Sequence, residues 1–183
     1  LKAGAELVDP LGGLPDLRDG VLVAVAEQNL LDDPLRLLRG LRLAAELGFA
    51  LEHRTQGWLG QHREALAGVA GERVLAELEK LAAAPNGECQ LGLCLELELL
   101  KPWGAAGDRQ WLQRCSSEAA QALDLTEAER SLALPLARLA ASLSSSSLRR
   151  LNSSRKLQQR VERLRYWQQQ LGSADGGSAA EAL

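Results

Sequence analysis

The segment Asp32-Asp33-Pro34-Leu35-Arg36-Leu37-Leu38-Arg39-Gly40-Leu41-Arg42 sets an acid ahead of three arginines spaced three residues apart. A guanidinium is always charged and offers planar, forked donors. An ionised carboxylate only accepts. Held side by side, the two groups could grip a polyphosphate and read the hydrogen-bonding edge of a base.

Such a set needs a rigid carrier, and the flanking residues supply a helix. Asp33 suits the N-cap and Pro34 the first helical position. Gly48 is a natural stop after Glu46-Leu47. Leu35, Leu37, Leu38, Leu41, Ala44, Ala45 and Leu47 make a broad apolar face. Positions i and i+3 are surface neighbours, so Arg36, Arg39 and Arg42 form an oblique ladder with rungs about 4.5 Å apart along the axis. Spacing alone also fits a capped helix with a solvated basic edge, and both readings stand at this point.

The 183 residues allow one domain or two small ones. A hydrophobic share of 46% is ample for a core, and leucine and alanine dominate over β-branched and aromatic residues. That balance predicts an all-α protein. No apolar run approaches the roughly 20 residues of a membrane span. No signal peptide is visible. Cys89, Cys94 and Cys115 lack metal-ligand spacing and read as reduced thiols of a cytoplasmic protein. With His53 and His62 the only histidines, a histidine metal site is not expected. The absence of methionine reads as a piece or processed product of a longer protein. Net charge is −3, yet residues 148–167 carry +6, leaving −9 elsewhere. The basic cluster (Arg149, Arg150, Arg155, Lys156, Arg160, Arg163, Arg165) suggests a polyanion partner, and equally fits a solvated basic helix.

Along the chain, residues 1–8 read as the tail of a hairpin or a last strand. Asp9-Pro10-Leu11-Gly12-Gly13-Leu14-Pro15 is a structured turn, followed by a helical turn or loop at 16–20 and a brief extended segment at 21–25. Helices are predicted at 55–67 with Trp58 and Leu59 inward, at 72–84, at 88–100, at 108–123 and from a capping box at Thr126 towards Leu143, with a possible kink at Pro135. Ser142 and Ser144 to Ser147 read as a polar loop. One last helix spans 148–171, where Tyr166 and Trp167 beside the basic residues could stack on nucleotides, core burial being the favoured reading for Trp167, and residues 172–183 read as disordered.

Three stretches together resemble the bacterial-type, class II tRNA nucleotidyltransferase/poly(A) polymerase family, which includes CCA-adding enzymes. Asp9-Pro-Leu-Gly-Gly-Leu-Pro-Asp16-Leu17 is similar to the DPxGGxxDL element joining catalytic head to neck. The segment from Asp32 to Arg42 resembles the neck motif (E/D)DxxRxxRxxR, with Asp32 where glutamate is usual. Glu72-Arg73-Val74-Leu75-Ala76-Glu77-Leu78 resembles the ERxxxEL helix. The resemblance implies that Asp33 and Arg36 present Watson–Crick-like hydrogen bonds to an incoming CTP or ATP, and that Arg39 and Arg42 add nucleotide and phosphate contacts. It also implies that the later helices dock the tRNA acceptor arm, with Arg149, Arg150, Arg155 and Lys156 as candidate phosphate contacts.

The same resemblance calls for a head carrying a DxD pair with two Mg²⁺ ions. No D-x-D occurs in this sequence. The pairs Glu77/Glu79 and Glu96/Glu98 lie in leucine-rich helices and read as solvated faces, so neither catalytic nor metal residues are expected. The expected organisation is therefore a head remnant and connection at 1–28, a nucleotide-recognising neck at 29–86, an RNA-binding body and tail at 87–171, and a disordered end. This would be the selecting and docking part of an enzyme adding CMP and/or AMP to tRNA 3′ ends, inactive in transfer by itself. A poly(A) polymerase is the alternative within the family. A headless, noncatalytic RNA-binding or protein-interaction module is the alternative outside it.

Overall fold

The structure, a computed structural model, describes residues 8–105 and 107–177, with side chains described through residue 170. The strand expected at the N-terminus therefore lies outside the described residues, apart from Val8, as do residues 178–183 of the expected tail.

The architecture is all-α with one very small sheet. Helix α1 (Leu14–Asp19) leads into strand β1 (Val21–Leu22), then helices α2 (Glu27–Asp32) and α3 (Arg36–Leu47) and strand β2 (Ala50–Leu51). The two strands pair in parallel, Val21 with Ala50 and Leu22 with Leu51. Helix α4 (His53–Gln61) and a 3₁₀ turn at Arg63–Gly68 follow, then α5 (Gly71–Ala83) and α6 (Gly87–Glu96). The rest is α7 (Arg109–Gln113), α8 (Ser117–Gln121), α9 (Glu127–Ser142), α10 (Ser145–Arg150) and α11 (Arg155–Gly177).

Local chemistry accounts for most boundaries. The Asp9 carboxylate accepts from the backbone N–H groups of Gly13 and Leu14, both at 2.9 Å, and so ties down the entry to α1. Those bonds, Leu14 first, hold its carboxyl below the usual range. Gly20 and Gly48, at φ +66° and +69°, end α1 and α3 in the left-handed region. Thr126 and Glu129 form the expected capping box of α9, and α9 continues through Pro135.

Helix α3 packs on α5 and α6, α5 on α9, and α9 on α11. Leu37, Leu38 and Leu41 of α3 meet Leu78 and Leu81 of α5 and Leu91 of α6 in a core from which water is excluded. Each such leucine contributes about 1.5–3 kcal/mol through burial. The thiols of Cys94 and Cys115 are free and buried. Burial pushes them up to about 12 and about 11 respectively.

One buried charge ties the body together. Arg138, on α9, is 2% exposed. It donates to the carbonyls of Ala82 and Ala84 at 3.0 and 2.8 Å, of Cys115 at 2.9 Å and of Pro85 at 3.4 Å. It also reaches the hydroxyl of Ser117 and the carboxylate of Glu88. The last carbonyls of α5 have no partner within their own helix, and Arg138 supplies one. Burial lowers its pKa, opposed by Glu88.

Several expected elements differ. Helix α3 begins at Arg36 rather than at Pro34, because residues 33–35 form a turn in which Arg36 N–H donates to Asp33 O at 2.9 Å. The Asp33 carboxylate is not a helix cap; it is spent on arginines. The helix expected at 108–123 is two short ones, interrupted where Cys115 turns its carbonyl to Arg138. The serine stretch is not a loop. Ser142 ends α9 fully buried and donates to Arg138 O, and Ser144 caps α10 by accepting from Ser147 N–H. The final helix is broken at 151–154, where Asn152 takes φ +54° and Leu151 is buried. Backbone helix runs on to Gly177. Trp167 is exposed, not in the core, since the packed face of α11 belongs to Leu157, Val161 and Leu164.

Replacing Arg138 with methionine strands the α5 carbonyls and the Glu88 carboxylate. The expected loss is about 3–5 kcal/mol of unfolding free energy, read from urea denaturation. A loss under about 1 kcal/mol would show that the clamp is dispensable.

Candidate functional site

The ladder lies where the core leaves α3 half exposed. Leucines 37, 38 and 41 turn one face inward, which obliges Arg36, Arg39 and Arg42 to the rim. Its start is set by the 33–35 turn, so Asp33 sits just ahead of the helix with its side chain folded back over the first turn.

The side chains are counter-charged in a definite pattern. Asp33 Oδ2 receives Arg39 Nη1 at 3.1 Å and lies 3.8 Å from Arg36 Nε. Arg36 also donates from Nη1 to Asn29 O at 3.1 Å. Arg39 Nε reaches Glu77 Oε1 at 3.4 Å, and Arg42 Nε reaches Glu77 Oε2 at 2.9 Å. Arg42 Nη1 donates to both oxygens of Glu46 at 2.7 Å. The Glu46 bond holds Arg42 still more firmly protonated than an ordinary arginine. Lys80 Nζ lies 4.0 Å from Glu77.

Glu77 is the residue that sequence reasoning misplaces. Sequence puts it on a solvated face, yet its side chain is 7% exposed. It grips Arg39 and Arg42 through their Nε edges, one oxygen each. A signal for it exists: Val74, Glu77, Leu78 and Leu81 follow i, i+3, i+4, i+7 on the inward face of α5. A carboxylate on that face needs a buried cationic partner, and the arginines of α3 are the candidates. Its companion Glu79 is exposed as expected. Glu96 is exposed too and pairs with Arg109 at 3.2 Å.

The ladder is therefore graded. Arg42 is largely neutralised between Glu77 and Glu46 and is 20% exposed. Arg36 is 48% exposed and, among the described residues, is held only by a carbonyl and a distant carboxylate oxygen. Asp33 Oδ1 has no partner among the described residues, both of the carboxylate's contacts being at Oδ2. The end that presents an open acceptor beside an open guanidinium is thus Asp33/Arg36.

The remaining predicted residues lie elsewhere. Arg149 and Arg150 close α10, and Arg155 and Lys156 open α11, all exposed. The 151–154 turn between them is anchored on the start of α5: Asn152 Nδ2 donates to Glu72 Oε1 at 2.8 Å, and a side chain on Gly71 would press on the Leu151 backbone. Glu72 of the ERxxxEL segment thus holds the basic helices while Glu77 holds the ladder. Arg165 leaves the basic cluster by turning inward to Ala140 O at 2.6 Å and over the Trp111 ring. Among the described residues no group of three or more His, Cys, Asp or Glu could hold a metal. No described helix is long and apolar enough to cross a membrane.

No family model matches the chain. It is 42% identical over 98 residues to the CC-adding tRNA nucleotidyltransferase of Synechocystis sp., a match covering 54% of this chain and 24% of that protein. Against the CCA-adding enzyme of Lactiplantibacillus plantarum it is 33% identical over 116 residues, 62% of this chain and 28% of that one. In structure it is similar to the Bacillus stearothermophilus CCA-adding enzyme in complex with CTP, with a TM-score of 0.62 and 30% identity over 83% of this chain and 39% of that one. A tRNA-processing enzyme in an apo form shares the fold over 94% of this chain and 49% of that one, with a TM-score of 0.68 at 21% identity. Over these stretches the chain is similar to a region of class II tRNA nucleotidyltransferases. It spans about a quarter of the length of these curated relatives.

Glu77→Gln keeps the shape and removes the charge that both arginines share. The expected cost is about 1–3 kcal/mol in urea unfolding. A change within about 0.5 kcal/mol would place Glu77 among ordinary surface carboxylates.

Proposed function

We propose that the chain is the nucleotide-selecting and RNA-docking part of a template-independent RNA nucleotidyltransferase, one that adds CMP and/or AMP to tRNA 3′ ends. The observation that carries this reading is the open edge formed by Asp33 Oδ1 and the Arg36 guanidinium, braced from behind by Glu77 through Arg39. A carboxylate beside a guanidinium offers an acceptor for the exocyclic amine of cytosine or adenine and donors for a ring nitrogen or carbonyl. Uracil and guanine lack that amine at the corresponding place. Arg39 lies next along the ladder for the triphosphate, and Arg42 joins it on releasing Glu46. CTP and ATP are the substrates in this reading, and relatives named for CC and CCA addition support it.

RNA docking is assigned to Arg149, Arg150, Arg155 and Lys156. Among the described residues none of them has an ion pair, so their charge is available. Arg155 and Lys156 also sit in the first turn of α11, where the helix dipole disfavours cations. An anion bound there would relieve that cost. The Mg²⁺ ions implied for the family do not fit the carboxylates of the described residues, which do not converge in threes, and the sequence holds no D-x-D. In this proposal the metals belong to a catalytic head, and the chain alone transfers no nucleotide.

In the head-containing enzyme, Arg36→Ala is expected to lower selectivity for CTP and ATP over UTP by roughly 5- to 150-fold, with RNA affinity unchanged. Competitive incorporation assays read this directly, and unchanged selectivity would sink the template assignment. Changing Arg149, Arg150, Arg155 and Lys156 to glutamine should weaken tRNA binding and flatten its salt dependence by about 0.9 in slope for each phosphate no longer held. A salt slope equal to that of the unmodified protein would reduce these residues to solvated surface.

A further inference from the structure

Helix α11 divides its surface sharply. Leu157, Val161 and Leu164 pack on the core, and Arg165 turns inward beside them. A flank roughly 100° round the helix from that packed stripe carries Lys156, Arg160, Arg163 and Trp167 at i, i+4, i+7 and i+11, which return to one line at 3.6 residues per turn. From Lys156 the others lie about 6, 10 and 16 Å along the axis. The three cations line a shallow furrow of about 280 Å³ together with Gln159 and a single carboxylate, Glu162. Among the described residues none of the three has an ion pair.

About one helical turn beyond Arg163 stand two aromatic rings left in water. Tyr166 is 55% exposed and Trp167 57%. They meet edge to face, with centroids 5.5 Å apart and planes at 73°. Large aromatics normally gain by burial, and here the packed side of the helix is already filled by other residues. A cationic track running into exposed rings is the combination that single-stranded nucleic acid uses, phosphates on the track and bases on the rings. A duplex would satisfy the cations but keeps its bases stacked on one another. An acidic polypeptide would satisfy the cations and leave the rings without planar partners. A membrane surface is disfavoured because the apolar side of α11 is turned to the core.

We propose that this cationic flank of α11 binds an unpaired RNA segment. Lys156, Arg160 and Arg163 hold successive phosphates, and Trp167, set by Tyr166, stacks on an unpaired base. This rests on the reading that the chain docks RNA. It adds Arg160, Arg163, Tyr166 and Trp167 to the residues assigned above, and it specifies that the RNA here is single-stranded.

The test is fluorescence anisotropy of the full chain with a labelled oligouridylate and with a labelled blunt RNA duplex. Trp167→Ala should weaken oligouridylate binding about fivefold or more and leave duplex binding nearly unchanged. Trp167→Phe should restore most of the loss. Both side chains are exposed, so folding is expected to persist, checked by circular dichroism. The triple change Lys156→Gln, Arg160→Gln and Arg163→Gln should reduce the salt slope for oligouridylate by about 2, at roughly 0.7 per phosphate on single strands. The proposal is overturned if Trp167→Ala leaves oligouridylate affinity unchanged while Arg149→Gln with Arg150→Gln lowers it, an outcome that keeps RNA docking itself. Equal loss on duplex and single strand also overturns it, as does competition by polyglutamate matching that by RNA. Failure of the unmodified chain to bind either RNA removes the docking reading as well.

Discussion

A single guanidinium in the interior constrains most of this molecule. Arg138 fills the end of α5, the entry to α6 and the broken helix at 109–121 with hydrogen bonds from one planar group. Taking a charge out of water costs several kcal/mol unless every donor is matched. Here carbonyls left over at a helix end and the Glu88 carboxylate do the matching. The fit is tight: a side chain on Gly87 would press against both the Leu81 carbonyl and the Arg138 guanidinium. Because the carbonyl end of α5 is pinned, the rest of α5 is placed too, and α5 carries both Glu77 and Glu72.

Placement of α5 decides what the arginines of α3 can do. Three guanidinium groups on successive turns repel one another and would scatter into solvent. A buried carboxylate shared between two of them gives the ladder a fixed back, and Glu46 fixes its far end. The consequence is a gradient of available charge. Arg42 is largely compensated, Arg39 bridges two carboxylates, and Arg36 stands open beside an unpartnered oxygen of Asp33. Preorganised donors and acceptors lose little conformational freedom on binding, which favours the nucleotide-selecting role proposed for this edge. The same helix, through Glu72 and Asn152, sets the turn from which the basic helices leave.

The basic segment shows how a linear cluster is redistributed by folding. Seven cations in 20 residues suggest one uniform helix. Serine and asparagine chemistry breaks it instead, with Ser144 capping α10 and Asn152 adopting a left-handed turn. Within α11, Arg165 turns inward to the carbonyls of Ala140 and Leu143 while Trp167 stays exposed.

From composition and order alone, the all-α class, the capping box at Thr126, the glycine stop at Gly48, the α5 helix and the three family-like stretches were readable. These depend on local propensity and short spacing, which act within a few residues. The partners of the arginines were not readable, because Glu77 lies 35 residues beyond Arg42 and its burial comes from the packing of α3 against α5. The role of Arg138 was invisible for the same reason: its carbonyl partners at the end of α5 lie more than 50 residues upstream and carry no side-chain signature. The ladder's residues were chosen by the sequence, but which of its rungs keeps an open charge was decided by tertiary contact, since charge is neutralised in space and not along the chain.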